Sequence, residues 1–235
     1  CKVIISRLNL EVFVVVKLKL FCYIRAASSP YLICQSLQIL MINDLPEFLR
    51  DNYEVYEWKH ACAILKNDFP EEWKDIIEVL KGFRLKRSAV EMPGGRKSPV
   101  SELLDGQFYL RGWKEKKFDT KMVVDSAELT SPTHKVDCYK NRVALEIEWN
   151  NKDPFFDRDL NNFRLLFDLR AISVGIMVTR SDELQLIFNS LGKGSSYGQS
   201  TTHMGRLLPR ILGGGGGGCP ILVFGITSKL YDAAH

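Results

Sequence analysis

Cysteine is scarce in this sequence and forms no pattern. Six in 235 residues are too few for a disulfide scaffold, and none falls at the CxxC spacing of common zinc motifs. They read as free thiols in a reducing cytoplasm. Net charge is also confined to one end. Residues 1–40 hold five basic residues and one acid, while the rest of the chain balances at 27 of each, so bulk charge argues neither for nor against a nucleic-acid partner. Long apolar runs are missing too. The richest, Leu8 to Ile24, is 17 residues and carries Glu11, Lys17 and Lys19, at the bottom of the range for a membrane span. With 46% hydrophobic and 26% charged residues, a disordered, collagen-like or multi-span chain is excluded. No internal repeat is present. The glycine run Gly213–Gly218 lacks the Lys-Ser/Thr of a phosphate-binding P-loop and precedes a strand pattern. No Ser/His or Cys/His arrangement suggests a covalent nucleophile, and neither His134 nor His203 has a second histidine at ligand spacing.

The first forty residues stand apart from the rest. The chain opens on Cys1 and its first methionine is Met41. Ala26-Ala27-Ser28 imitates a signal cleavage site, but the favoured reading is upstream sequence translated in frame. The native start is then Met41, followed by a single domain over residues 41–235.

From Asp44 to Leu80 the pattern reads as helical, with Pro70-Glu71-Glu72 as a helix opening. Trp73, Ile76, Ile77 and Leu80 form its apolar stripe, and His60 is a packing or capping residue. Residues 81–121 hold 11 basic residues against 5 acids, and Met92 to Pro99 breaks regular structure. This segment reads as a basic loop followed by a short helix near Val100–Leu110. A β-hairpin is expected from Val136 to Trp149, turning at Lys140-Asn141. Further on come a helix over Asp157–Arg170, a buried strand at Val174–Thr179 and a helix capped by Ser181-Asp182-Glu183. A short helix at Met204–Leu212 and a final buried strand at Ile221–Ile226 close the order. Such alternation predicts an α/β fold with a central mixed sheet flanked by helices.

The informative segment is the hairpin. Side chains alternate along a strand, so Val143, Leu145, Ile147 and Trp149 share one face, and Ala144, Glu146 and Glu148 the other. A turn at Lys140-Asn141 sets Asp137 across from Ala144, diagonal to Glu146. Three carboxylates are then expected to converge. Uncompensated they repel and raise their own pKa values; a hard divalent cation such as Mg²⁺, with water and phosphate oxygens, makes the cluster favourable. The plainer alternative is an amphipathic hairpin showing its polar face to water. Against it stand the strongly apolar elements that follow, which put the hairpin at the domain centre, and the flanking cations Lys140, Arg142 and Lys152.

Asp137, eight intervening residues, then Glu146-x-Glu148 on a strand resembles the PD-(D/E)xK nuclease core. Arg142 to Trp149, the upstream Gly112-Trp113-Lys114-Glu115, the closing Gly218 to Ile226, and Tyr56 to Leu65 with His60-Ala61 together resemble the BglII/BstYI group of type II restriction endonucleases. The resemblance covers about residues 53–226 and nothing before Met41. It implies a restriction-endonuclease-like core in which Asp137 and Glu146 hold the metal and the Ile147 backbone carbonyl completes its shell. Glu148 takes the third catalytic position, which is lysine in most nucleases of this fold, glutamine in the BglII/BstYI group and glutamate in the related BamHI. Its role, as base or as orienting group, stays open.

The expectation is a Mg²⁺-dependent endonuclease (Mn²⁺ as substitute) cutting double-stranded DNA at a short palindrome, GATC-centred by the resemblance. It would act as a symmetric homodimer in the cytoplasm, alongside a cognate DNA methyltransferase. Candidate DNA contacts are Arg96, Lys97 and Lys116 in the basic segment, Arg142 and Lys152 beside the hairpin, and His203. Base readout is expected from loops within Gly192–Gly218 and from Met92–Ser98. Two alternatives remain: a structure-specific repair or recombination nuclease with the same core, and an inactive DNA-binding remnant.

Overall fold

In the computed structural model the described residues are 45–92 and 97–234; the reading of residues 1–40 and the DNA contact assigned to Arg96 lie outside them. In chain order the elements are α1 (Glu47–Asn52), β1 (Tyr53–Trp58), α2 (Ala61–Asp68), α3 (Pro70–Gly82), β2 (Leu85–Lys86), α4 (Arg87–Glu91), α5 (Pro99–Tyr109), β3 (Lys114–Lys116), β4 (Asp119–Val124) and β5 (Ala127–Pro132). There follow β6 (Val136–Lys140), β7 (Val143–Ile147), α6 (Phe155–Asp168), β8 (Val174–Arg180), α7 (Leu184–Ser190), α8 (Met204–Leu212), β9 (Ile221–Ile226) and β10 (Tyr231–Asp232).

The core is a six-stranded mixed sheet in the order β1-β9-β8-β7-β6-β3. Strands β7, β8 and β9 run parallel, while β1, β6 and β3 pair antiparallel with their neighbours. Every residue of β8 and β9 is buried, as their continuous apolar runs require of strands covered on both faces. On one face Ala144, Met177, Ile221 and Val223 pack against Phe156, Leu160 and Phe163 of α6 and against Leu207 and Ile211 of α8. The expected α/β architecture is present.

Three local expectations are corrected. Residues 44–80 are not helical throughout. Tyr53–Trp58 is β1, an edge strand on β9 with Tyr53, Tyr56 and Glu57 buried, and its β-forming aromatics were hidden between two genuine helices. The helix after Ser181 exists, but its N-cap residue is Glu183 and makes no side-chain cap bond; the Ser181 hydroxyl accepts from Glu183 N–H at 3.3 Å. Between β3 and β6 the chain forms a two-stranded hairpin, β4–β5, separate from the main sheet, where no element was expected.

The glycine run is the clearest displacement. Gly213–Gly218 leads into the N-terminal end of β9, whose first residue Ile221 pairs with Gly175 near the start of β8. It therefore sits at the end of the parallel strands away from Glu148. Its turns are closed by backbone bonds, Gly215 N–H to Arg210 O and Gly217 N–H to Gly214 O, each 2.9 Å. From Gly215 to Gly217 side chains are excluded because the segment passes close over its neighbours. A Cβ on Gly216 would stand 2.4 Å from Ile221 Cδ1, and one on Gly217, at φ +56°, 2.6 Å from Arg164 Cγ. Gly216→Ala is expected to lower stability by about 1–3 kcal/mol, the usual cost of overpacking, read as a lower melting temperature with no change in activity of the folded protein.

Candidate active site

The site is built where β6 meets β7. The turn between them is Asn141-Arg142, with φ of 43° and 67°, the backbone of a type I′ hairpin. Asparagine suits the first of these left-handed positions, so the turn lies one residue later than the sequence reading put it. Pairing runs Lys140–Val143, Tyr139–Ala144 and Cys138–Leu145, and its continuation sets Asp137 opposite Glu146 instead of Ala144. Because the shift keeps parity, Asp137, Glu146 and Glu148 stay on one face of the hairpin, the face on which Glu148 meets Arg158 of α6.

Asp137 and Glu146 hold each other through the backbone. Asp137 N–H donates to Glu146 Oε2 at 3.3 Å, and Ile147 N–H donates to Asp137 Oδ2 at 3.2 Å. Glu148 N–H points the other way, to Val178 O at 2.9 Å. Amide and carbonyl of one strand residue point to the same side, so the Ile147 carbonyl faces the Asp137 side. Glu146 is 1% exposed, and its Oε1 is buried with no hydrogen-bond partner. Such an orphan acceptor is costly.

Glu148 departs from the expected convergence. Its Oε2 accepts from Asn151 Nδ2 at 2.7 Å and its Oε1 from Arg158 Nη2 at 3.2 Å. Among the described residues no three His, Cys, Asp or Glu side chains stand together at metal-ligand spacing. The arrangement is two acids plus a carbonyl, with Glu148 engaged alongside. That donor set fits Mg²⁺, which takes one or two carboxylates and fills its shell with water and phosphate oxygens, and the orphan Glu146 Oε1 has a lone pair that a cation could take up.

Electrostatics point the same way. Burial, then the Asp105 charge, raises Asp137 from the usual 3.8 to about 6. Burial, Asp159 and Asp137 push Glu146 well above the carboxylate range. Burial and Asp159 raise Glu148 to about 9 against the opposing pull of Asn151 and Arg158. A carboxyl raised in the fold gives stability that is full below its unfolded pKa and lost as pH climbs through the folded value. The windows run from 3.8 to about 6 for Asp137 and from 4.5 to about 9 for Glu148. Without divalent cations the melting temperature is expected to fall as pH rises across this range. Mg²⁺ is expected to restore more of it at alkaline than at acid pH, as calorimetry with EDTA and with Mg²⁺ would register.

Asp137, Ile147 and Glu148 open into a cleft of about 480 Å³, also lined by Lys97, His134, Asn151, Arg158 and Lys193. It lies at the C-terminal end of β7, where open α/β sheets place their ligands. Lys97 reaches it while ion-paired to buried Asp105 of α5. Lys152 follows Asn151 but is not in the cleft lining; it is exposed, and its backbone forms an isolated bridge with Thr201. The remaining candidates are elsewhere. Arg142 is in the turn at the far end of β7, about 13 Å along the strand from Glu146 at the usual rise. Lys140 is bound to Asp75 at 2.8 Å. Lys116 Nζ lies over the rings of Tyr139 and Phe118, at 4.1 and 4.5 Å. His203 is paired with Asp182, at the N-cap of α8.

The sequence reading missed Arg158, Asp159 and Asp105. A signal existed for both acids. Asp159 occupies the stripe of Phe156, Leu160 and Phe163, and Asp105 that of Ser101, Leu104 and Phe108; all are buried. A charge on an apolar stripe must have a partner or a purpose.

A family model described as Restriction endonuclease BglII/BglIII matches residues 53–226, from the first residue of β1 to the last of β9. No curated protein matches the chain.

Proposed function

The chain belongs to the BglII/BglIII restriction endonuclease family, nucleases that act on DNA, and on that premise we propose that it hydrolyses DNA phosphodiester bonds with Mg²⁺ at a short palindromic site. The resemblance makes that site GATC-centred. The single observation that carries the reading is the interlocked pair of Asp137 and Glu146 with the unpartnered, buried Glu146 Oε1. These two acids and the Ile147 carbonyl would hold the metal, with Mn²⁺ as a substitute. When bound, the ion supplies charge stabilisation at the phosphoryl and leaving oxygens and a more acidic water.

The chain's own groups do the positioning. The Ile147 N–H fixes the Asp137 carboxylate and the Asp137 N–H fixes that of Glu146, so neither needs to reorganise as substrate arrives. Glu148, gripped by Asn151 and Arg158 at the cleft wall, orients the attacking water. Lys97 and Lys152 contact the phosphate backbone, supplying affinity without sequence information. A two-fold homodimer presents one such site to each strand of a palindrome, and a cognate methyltransferase protects the host site in the cytoplasm. Among the described residues no helix is long and apolar enough to cross a membrane.

Plasmid digestion tests the reading. Discrete fragments with Mg²⁺, and none with EDTA, are expected. Preference for branched over linear DNA would replace it with a repair nuclease. Binding without metal-dependent nicking would replace it with a DNA-binding remnant.

A further inference from the structure

We propose that Arg158 is a substrate-contacting residue whose guanidinium binds a non-bridging oxygen of the phosphate being cut; this rests on the endonuclease reading above. Asp159, Asp137 and Glu148 all act electrostatically on Glu146, so the site already disfavours negative charge, and a phosphodiester brings one more. At short range and reduced dielectric that repulsion is severe, so the cleft needs a fixed cation beside the acids. Of the cleft's cations, Lys97 is committed to Asp105 and its side chain is half exposed on a flexible stem, and Lys193 lies in the loop after α7.

Arg158 is held on three sides. Its Nε donates to Asp159 Oδ1 at 2.8 Å, its Nη2 stands 2.7 Å from the same oxygen and 3.2 Å from Glu148 Oε1, and its guanidinium lies 4.3 Å over the Phe155 ring. These bonds engage Nε and Nη2, and an arginine has five N–H donors. Among the described residues no hydrogen bond engages Nη1. The side chain is 32% exposed, against 2% and 0% for the carboxylates that anchor it, and it lines the cleft with Asp137, Ile147 and Glu148. A cation present merely to neutralise two buried acids would gain nothing from a face open to the cleft. A guanidinium held in place at the cleft wall, partly exposed and with donors to spare, suits a phosphate.

The test starts from the cut site mapped by wild-type digestion. Duplexes of that site are made with the native scissile phosphate or a neutral methylphosphonate in its place, and affinities are measured in Ca²⁺. Wild type is expected to bind the neutral duplex at least about tenfold more weakly, the usual worth of a charge-assisted contact. Arg158→Ala is expected to lose most of that discrimination and to slow single-turnover cleavage by about a hundredfold. Because removing Arg158 strands Glu148 and Asp159, Arg158→Ala can fail to fold. Arg158→Lys keeps the charge without the fork and is expected to fold, to keep part of the discrimination and to cut faster than Arg158→Ala. A folded Arg158→Ala, or failing that Arg158→Lys, with wild-type discrimination and rate overturns the proposal while leaving the endonuclease reading intact. A wild type that cuts nothing removes both.

Discussion

Asp137→Ala is expected to lower cleavage by roughly 10³-fold or more, about 4 kcal/mol of transition-state stabilisation, while sequence-specific binding survives. The side chain has two tasks, and alanine ends both. It removes one of the two acids proposed to hold Mg²⁺, and it strips the acceptor from Ile147 N–H. The second loss costs about 1–3 kcal/mol where that amide stays unsatisfied. It is offset in part because Glu146 loses a like-charged neighbour. Asp137→Asn separates the tasks: it keeps an acceptor for Ile147 and is expected to melt close to wild type while remaining as inactive as alanine. Single-turnover cleavage beside thermal melts is the measurement. Wild-type cutting by either variant would remove Asp137 from the active site.

The second large effect concerns Glu148. As a general base it would have to give up its proton readily, and its replacement by glutamine would slow the chemical step by roughly 10²–10⁴-fold. Burial and Asp159 instead favour its protonated form, up to about 9. Both Glu148 oxygens accept, one from Asn151 and one from Arg158; glutamine keeps the acceptor for Arg158, and its amide N–H can donate to Asn151 once that side-chain amide turns its oxygen inward. Glu148→Gln is therefore expected to keep single-turnover cleavage within about tenfold of wild type, in line with the glutamine that the resemblance places at this position. Glu148→Lys sets a cation against Arg158 and is expected to be slower than Glu148→Gln. A glutamine variant with normal DNA and metal binding and no detectable cutting would make Glu148 the base.

How far the site could be read in advance depended on the kind of information each residue carries. The shared face of Asp137, Glu146 and Glu148 followed from strand periodicity, and it survived a misplaced turn because the true turn, Asn141-Arg142, moved the register by an even number of residues. The direct opposition of Asp137 and Glu146 did not follow. It hangs on which two residues take the left-handed turn positions, and Lys140-Asn141 and Asn141-Arg142 both contain the asparagine that favours them.

Sequence alone determined the elements whose patterns are self-sufficient: the buried runs of β8 and β9, the helices α3, α6 and α8, and the acid-bearing face of β7, although the buried side of α3 is Glu72, Ile76, Val79 and Leu80, with Trp73 and Ile77 only half-buried. Their periodicity reflects one-sided or two-sided burial, which is written locally. Tertiary structure decided whatever depends on two distant segments meeting. It made Tyr53–Trp58 a strand, because only pairing with β9 satisfies that backbone. It carried Gly213–Gly218 and Arg142 to the end of the sheet away from the acids, because parallel strands separate their two ends by their full length. It brought Arg158 and Asp159 under Glu148, ten and eleven residues on, because the chain turns after β7 and lays α6 back across the acid face. A carboxylate's neighbours across the core set its charge and its chemistry, and no spacing within β7 reveals them.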